Sequence, residues 1–121
     1  MPKKLILIID DDNRNIFALK AVLNSRGFDC LSAKSAEEGF FIIEKNESIA
    51  IVLMDMMMPD MDGYQAIAAM KKSEKLKNIP VLAVTARAML GDKELCLSAG
   101  ASGYISKPIN IDELLIYIEN L

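Results

Sequence analysis

Acidic residues stand directly behind two apolar stretches of the chain. Asp10, Asp11 and Asp12 follow the first stretch, and Asp55 follows another in the middle of the chain. Carboxylates that a fold brings together can bind a hard cation such as Mg²⁺, which prefers oxygen ligands. Each group also has an ordinary interpretation. Three aspartates in a row commonly form a solvated turn that caps a helix, and Asp55 could simply end a strand before a turn.

Three further residues near later apolar segments carry polar groups. Thr85 has a hydroxyl, Tyr104 a phenol and Lys107 an ammonium group. Taken singly, Lys107 would be a surface lysine, and Thr85 and Tyr104 would be ordinary strand residues. Whether these residues have a chemical role therefore depends on where the fold puts them.

Short apolar runs predict five strands. The first run is aliphatic and contains no polar residue, which indicates a strand buried on both faces. The predicted strands cover residues 5–9, 28–33, 49–54, 81–84 and 104–105.

Helices are predicted after each strand. The first covers residues 13–26 because its apolar residues recur at helical spacing, and Gly27 is typical of a helix end. Asp12, the last of the three aspartates, is expected to cap the first helix or to have no role. Ser35, Asp62 and Asn110 are predicted to cap the second, third and fifth helices, and Ser35 has the spacing of a capping box. The fourth helix is expected over about 92–99. The last helix should present one apolar face, made by Leu114, Leu115, Ile118 and Leu121.

Strict alternation of strands and helices predicts a parallel sheet with helices on both faces. In such sheets ligands bind outside the carboxyl ends of the strands, where the strand order reverses. The residues expected at those ends are Asp10, Asp11, Asp55, Thr85 and Lys107. Independent surface placement would seldom give this set, so the ordinary interpretations lose weight when the residues are taken together.

Composition limits the class of protein. The 121 residues suit one domain, predicted over 1–121, and the 52% hydrophobic content with only seven aromatic residues indicates an aliphatic core. A net charge of −3 without a long Lys/Arg cluster argues against direct nucleic-acid binding. The first apolar run is too short for a signal peptide or a membrane span, so a cytoplasmic protein is expected. Cys30 and Cys96 are expected to be reduced core thiols.

These motifs, in this order and spacing, resemble the receiver domain of response regulators, the phosphoacceptor module of two-component signalling. The resemblance covers essentially the entire chain. It implies an α/β, flavodoxin-like, doubly wound sheet of five parallel strands in the order 2-1-3-4-5 with five helices. The residues that carry it are Ile8-Ile9-Asp10-Asp11, Leu53-Met54-Asp55 with Met56-Met57-Met58-Pro59 and Asp62-Gly63, Thr85-Ala86, and Tyr104-Ile105-Ser106-Lys107-Pro108.

The resemblance also implies roles for single residues. Asp55 would accept a phosphoryl group, and Asp11 and Asp55 would bind Mg²⁺, or Mn²⁺ in its place, directly. Asp10 would help through bound water, and the backbone carbonyl of Met57 would be a further ligand. Lys107 and Thr85 would contact phosphoryl oxygens. Two further expectations are that Thr85 and Tyr104 form a switch and that Pro108 follows a cis peptide bond.

The implied partner is a histidine kinase or a histidine phosphotransfer domain, together with a downstream protein that the sequence does not identify. The segment 85–94 is most similar to receivers attached to hybrid histidine kinases. The implied role is a signalling switch and not an enzyme that turns over substrate.

Three alternatives fit the residues less well. A receiver-like scaffold that takes no phosphate would lack a metal acid, the acceptor or the lysine, and this chain has them all. A flavin-binding protein of the same topology would need a phosphate cradle where Asp10, Asp11 and Asp12 would repel the phosphate. A phosphatase of the haloacid dehalogenase type would carry paired acids two residues apart at a strand end, whereas Asp60 and Asp62 are expected in a loop.

Overall fold

Strand and helix alternate along the chain in this structure, a computed structural model that describes residues 4–46, 48–58, 63–85 and 91–120. The strands are β1 (Leu5–Ile9), β2 (Asp29–Ala33), β3 (Ile49–Asp55), β4 (Val81–Thr85) and β5 (Gly103–Ser106). The helices are α1 (Asn13–Ser25), α2 (Ala36–Lys45), α3 (Gly63–Lys72), α4 (Asp92–Ala99) and α5 (Ile111–Glu119). Among these residues, no helix is both long and apolar enough to cross a membrane.

The strands form one parallel sheet in the order β2-β1-β3-β4-β5, which confirms the predicted order. The strand order reverses at β1, since the chain first adds β2 on one side and then β3 on the other. The carboxyl ends of β1 and β3 therefore lie side by side. This is the edge of the sheet at which parallel α/β folds bind ligands.

Both faces of the sheet are covered because successive side chains of a strand point to opposite faces. On β1, Leu7 and Ile9 pack with buried residues of α2, α3 and α4. Ile6 and Ile8 pack on the other face with buried residues of α1 and α5. The aliphatic run of β1 is thus buried on both sides, as its sequence predicts.

Local signals explain most of the helix boundaries. The side chains of Asp12, Ser35 and Asn110 each accept a hydrogen bond from a backbone N–H in the first turn, which confirms these caps. Gly27 follows α1 with φ of +92°, a left-handed conformation that favours glycine. Asp62, the predicted cap of α3, lies outside the described residues.

Several predicted boundaries differ from the structure by one residue. β2 begins at Asp29 because the N–H of Phe28 bonds to the carbonyl of Leu23 and closes the end of α1. β3 and β4 each run one residue further than predicted, to Asp55 and Thr85, since both residues pair with the neighbouring strand. The two polar residues are therefore held by the sheet itself.

The prediction for the last helix and for the cysteines holds in part. Leu114 and Ile118 are buried, whereas Leu115 is only partly buried and Leu121 lies outside the described residues. Cys96 is a buried free thiol, as expected. Cys30 is a free thiol at an edge strand and is only half-buried, because β2 has a neighbouring strand on one side alone.

Gly103 begins β5 at a point where there is no room for a side chain. A Cβ atom here would meet the ring of Tyr117 and lie 2.8 Å from Cδ1 of Leu82. Tyr117 comes from α5 and its hydroxyl donates to the carbonyl of Tyr104 at 3.5 Å. Glycine at this position thus lets α5 approach the edge strand closely.

We expect Gly103→Ala to lower the free energy of unfolding by about 1–3 kcal/mol, because the added methyl overpacks the contact between β5 and α5. Urea denaturation measures the change. Ser102→Ala is the matched control, since Ser102 is exposed and its replacement should change stability by less than about 0.5 kcal/mol. Equal stability of the two variants would contradict this account of Gly103.

Candidate functional site

Asp10 follows β1 and is almost fully buried. Its N–H bonds to the carbonyl of Ala33 at 3.0 Å, which continues the ladder to β2 by one residue. Only 3% of the residue is exposed. Its Oδ1 accepts the N–H of Asp12 at 2.8 Å, and its Oδ2 lies 3.5 Å from Nδ2 of Asn15 on α1. The turn into α1 therefore fixes the direction of this carboxylate.

Asp55 ends β3, next to Asp10, and exposes 4% of its surface. Its Oδ1 accepts the N–H of Met57 at 2.9 Å. Burial raises the pKa of the Asp55 carboxyl above its ordinary value, and the nearby Asp10 carboxylate also raises it. The Met57 N–H and the Lys107 ammonium group oppose this rise in pKa.

Asp11 is exposed and completes an acidic cluster, which we define as Asp10, Asp11 and Asp55. One carboxylate oxygen from each of these residues lies within 4.8 Å of the others. Three carboxylates at this separation repel one another, and a cation relieves that repulsion. An all-oxygen donor set of this size fits Mg²⁺, which typically takes one or two carboxylates and keeps several waters. The residues present therefore suit a hard divalent cation.

Lys107 follows β5 and bridges the two buried members of the cluster. Its Nζ lies 3.6 Å from Oδ2 of Asp10 and 3.5 Å from Oδ2 of Asp55. Its N–H donates to the carbonyl of Thr85 at 2.8 Å, which ties the loop after β5 to the end of β4. The Lys107–Pro108 peptide bond is cis, as expected.

The other predicted residues lie around this cluster. Thr85 is the last residue of β4, 1% exposed, at the same edge of the sheet. The backbone of Met57 contacts Asp55 through its N–H, whereas its side chain is exposed. The hydroxyl of Tyr104 instead donates to Asp92 at the start of α4. The structure thus gathers the acids and the lysine and leaves the tyrosine on the side of α4.

A groove of about 580 Å³ opens beside Asp10 and Lys107, between α1 and the segment that joins β5 to α5. Its walls are largely apolar, so it can receive the surface of another molecule next to the charged residues. The remaining lining residues are Asn15, Ala18, Leu19, Val22, Pro108, Ile109 and Ile111.

Sequence reasoning missed two polar contacts near the site. Asn15 contacts Asp10, and its place three residues after the helix cap Asp12 could have indicated that it faces the strand end. Asp92 was expected only as the start of a helix, yet it is 5% exposed and accepts hydrogen bonds from Tyr64 and Tyr104. No local sequence signal brings these three residues together, since they come from three different elements.

Comparison of the sequence with curated proteins finds clear relatives. The chain is 40% identical over 116 residues to hybrid signal transduction histidine kinase I of Dictyostelium discoideum. The matched region covers 91% of this chain but only 7% of that kinase. It is 30% identical over 117 residues to the polar-differentiation response regulator DivK of Brucella ovis, covering 97% of this chain and 94% of that protein.

Solved structures have the same fold. A response regulator from Chloroflexus aurantiacus superposes with a TM-score of 0.90 at 30% identity, over 98% of this chain and 97% of that one. The receiver domain of a sensor histidine kinase from Pseudomonas aeruginosa, which has a magnesium ion coordinated in its active-site cleft, gives a TM-score of 0.87 at 29% identity, over 98% and 97% of the two chains.

The family model of the response regulator receiver domain matches residues 6–119. Receiver domains are phosphoacceptor signalling domains that interact with histidine kinases or phosphotransfer proteins and typically bind Mg²⁺ at an acidic pocket. The match gives no support to the flavin-binding and phosphatase alternatives. With its parallel sheet in the order 2-1-3-4-5 and its acidic cluster beside Lys107, this chain belongs to the response regulator receiver domain family.

Proposed function

We propose that this chain is a phosphorylation-dependent switch in which Asp55 accepts a phosphoryl group from the phosphohistidine of a histidine kinase or a histidine phosphotransfer domain. The observation that carries the proposal is the surroundings of Asp55. It is a buried carboxylate flanked by two other acids, with Lys107 at 3.5 Å. We further propose that residues 1–121 act as one receiver domain in the cytoplasm and bind a downstream protein, without direct binding to nucleic acid or membrane.

The transfer is a displacement at phosphorus. A carboxylate oxygen of Asp55 forms a bond to phosphorus while the bond between phosphorus and the donor's imidazole nitrogen breaks, and the imidazole leaves with that electron pair. The reacting groups are both anionic, and negative charge spreads over the phosphoryl oxygens in the transition state. Lys107 lowers this repulsion with a fixed positive charge, and the hydroxyl of Thr85 donates to a phosphoryl oxygen.

The acidic cluster would hold Mg²⁺ through Asp11 and Asp55 directly, through Asp10 by way of water, and through the backbone carbonyl of Met57. When bound, Mg²⁺ would supply positive charge that offsets the negative charge of the acids and of the phosphoryl group. Support comes from the all-oxygen donor set and from the similar Pseudomonas aeruginosa receiver, whose cleft contains magnesium. Mn²⁺ has similar oxygen preferences and should substitute.

The product is a modified protein and not a released small molecule. The chain thus assists only its own phosphorylation and dephosphorylation and is not an enzyme in the ordinary sense. The new phosphoryl group adds about 1.5 to 2 negative charges and three acceptor oxygens. We propose that Thr85 moves toward this group and that Tyr104 turns in response, which changes the surface near α4, β5 and α5 that partners recognise.

Mg²⁺ should bind with an affinity on the order of millimolar, because most of its ligands remain water. Asp11→Ala should weaken binding by roughly tenfold or more, since it removes a direct ligand. Isothermal titration calorimetry measures the affinity. Asp29→Ala is the control, because Asp29 is an exposed acid at the amino end of β2, whereas the acidic cluster lies at the carboxyl ends of β1 and β3. If Asp11→Ala binds Mg²⁺ as tightly as Asp29→Ala does, Asp11 is not a ligand of the ion.

Acetyl phosphate with Mg²⁺ should add one phosphoryl group to Asp55, with acetate as the leaving group, and Asp55→Asn should take none. Lys107→Ala should slow the reaction by on the order of 100-fold, because a positioned donor to the transition state is lost. Intact mass and peptide mapping give the extent and place of modification. Lys75→Ala, at an exposed lysine on the segment between α3 and β4, is the control for loss of charge.

The same measurement separates this function from that of a scaffold that takes no phosphate. An unmodified wild-type chain would favour the scaffold. An adduct on Asp10, Asp12 or a hydroxyl group would show that the acceptor is assigned to the wrong residue.

Thr85→Ala should still accept phosphate on Asp55 but lose much of the conformational response, since the missing hydroxyl cannot follow the phosphoryl oxygens. Thr85→Ser is the matched control because it keeps the hydroxyl. The measurement is the change of amide chemical shifts on addition of beryllofluoride, a phosphoryl mimic. Full-sized changes around α4 and β5 in Thr85→Ala would mean that the response runs by another route.

A further inference from the structure

A further buried carboxylate, outside the acidic cluster, belongs to the first residue of α4. Asp92 exposes 5% of its surface. Its Oδ1 accepts the hydroxyl of Tyr64 on α3, and its Oδ2 accepts the hydroxyl of Tyr104 on β5 at 3.2 Å. One carboxylate thus joins three elements of the fold.

The surroundings of Asp92 keep both phenols as donors. The hydrogen bond to Asp92 raises the pKa of the Tyr64 hydroxyl, and burial adds to the rise. Burial, followed by the bond to Asp92, also raises the pKa of Tyr104. Cys96, one turn further along α4, is also buried, and burial followed by the Asp92 carboxylate raises the pKa of its thiol. Each phenol is therefore protonated at neutral pH and can donate to the carboxylate.

This use of an acidic residue differs from that at an ordinary helix start. An acid in the first turn normally stays solvated and interacts with the positive end of the helix. Asp92 is buried instead, and a buried carboxylate is costly unless charge-assisted hydrogen bonds compensate for lost water. If Tyr104 turned away, Oδ2 of Asp92 would lose its donor, while Tyr64 on α3 would still hold Asp92 in place through Oδ1.

We propose that Asp92 is a positioning residue that holds Tyr104 against α4 and so sets how readily this tyrosine reorients. The inference rests on the proposed function and names the regulation of its switch. Tyr64 anchors Asp92 from α3, which prevents the carboxylate from following Tyr104. The equilibrium between the two orientations of Tyr104 is then governed by a residue that touches neither the phosphoryl acceptor nor Lys107.

The test reads Tyr104 directly in the unphosphorylated chain. The protein has three tyrosines, so ring-labelled tyrosine gives an NMR spectrum that single Tyr→Phe variants assign. Ring chemical shifts and contacts between the Tyr104 ring and α4 report the fraction of molecules in each orientation. Asp92→Ala should raise the fraction of Tyr104 turned away from α4 by roughly tenfold or more, which corresponds to the loss of one hydrogen bond to a charged group. Asp92→Asn should give a smaller rise, because an amide oxygen still accepts.

Two comparisons separate positioning from a general loss of structure. Glu94→Gln removes an exposed acid from the same turn of α4 and should leave Tyr104 unchanged. In a Tyr104→Phe background, read with ring-labelled phenylalanine, Asp92→Asn should have no further effect on the contacts of the residue 104 ring with α4, because the bond that it weakens is already absent. If Asp92→Ala fails to fold, Tyr64→Phe keeps the ring, removes one anchor of Asp92 and should shift Tyr104 in the same direction.

The outcomes are distinct from those that test phosphorylation. The inference is wrong if the fraction of molecules with Tyr104 turned away from α4 is the same in Asp92→Ala and Tyr64→Phe as in Glu94→Gln. It is also wrong if Asp92→Asn has its full effect on the residue 104 ring in the Tyr104→Phe background. Acetyl phosphate and Mg²⁺ are then applied to the wild type and to Asp92→Asn. Absence of an adduct in both would refute the proposed function, whereas an adduct in both with an unchanged Tyr104 would refute only the role of Asp92.

Discussion

Two carboxylates buried side by side, Asp10 and Asp55, are the constraint on which the rest of this site depends. Burial disfavours each charge, and their proximity disfavours both charges together. Compensation comes from backbone N–H groups, one from the turn after β1 and one from Met57, and from Lys107 between the two oxygens. These donors stabilise the acids without removing their repulsion, so the cluster retains an affinity for further positive charge.

The sheet topology makes this arrangement possible. Because β1 and β3 are neighbours and parallel, their carboxyl ends put Asp10 and Asp55 beside each other. The β4–β5 pair then brings Lys107 to the same edge, where its N–H bonds to the carbonyl of Thr85. A residue at the end of each central strand is fixed by ladder hydrogen bonds, which gives the site a rigid base.

The fold contains two solutions to the problem of a buried acid. At Asp55 part of the compensation is the ammonium group of Lys107, which lies between two carboxylates and can exchange one anionic partner for another. At Asp92 the compensation consists of two phenols from α3 and β5, which join elements of the fold. The first arrangement suits a group that must react. The second suits a group that holds neighbouring elements in place and gives way only when one of its donors moves.

Much of this protein follows from its sequence alone. Continuous aliphatic runs, caps at Asp12, Ser35 and Asn110, and the alternation of elements predicted the parallel sheet, and the motifs around Asp55 predicted the family. These features are readable because they depend on neighbours in the chain, through periodicity, capping and turn chemistry.

The tertiary structure decided the rest. It extended β3 and β4 to include Asp55 and Thr85, because strand ends are set by hydrogen bonds to another strand. It left Cys30 half-buried, because β2 is an edge strand. It also placed Tyr117 and Leu82 so close to residue 103 that only glycine fits there, and it buried Asp92 between two tyrosines. Both results come from contacts between residues that are distant in sequence or belong to separate elements. Such contacts leave no periodic or local pattern, since only the packing of one element against another creates them.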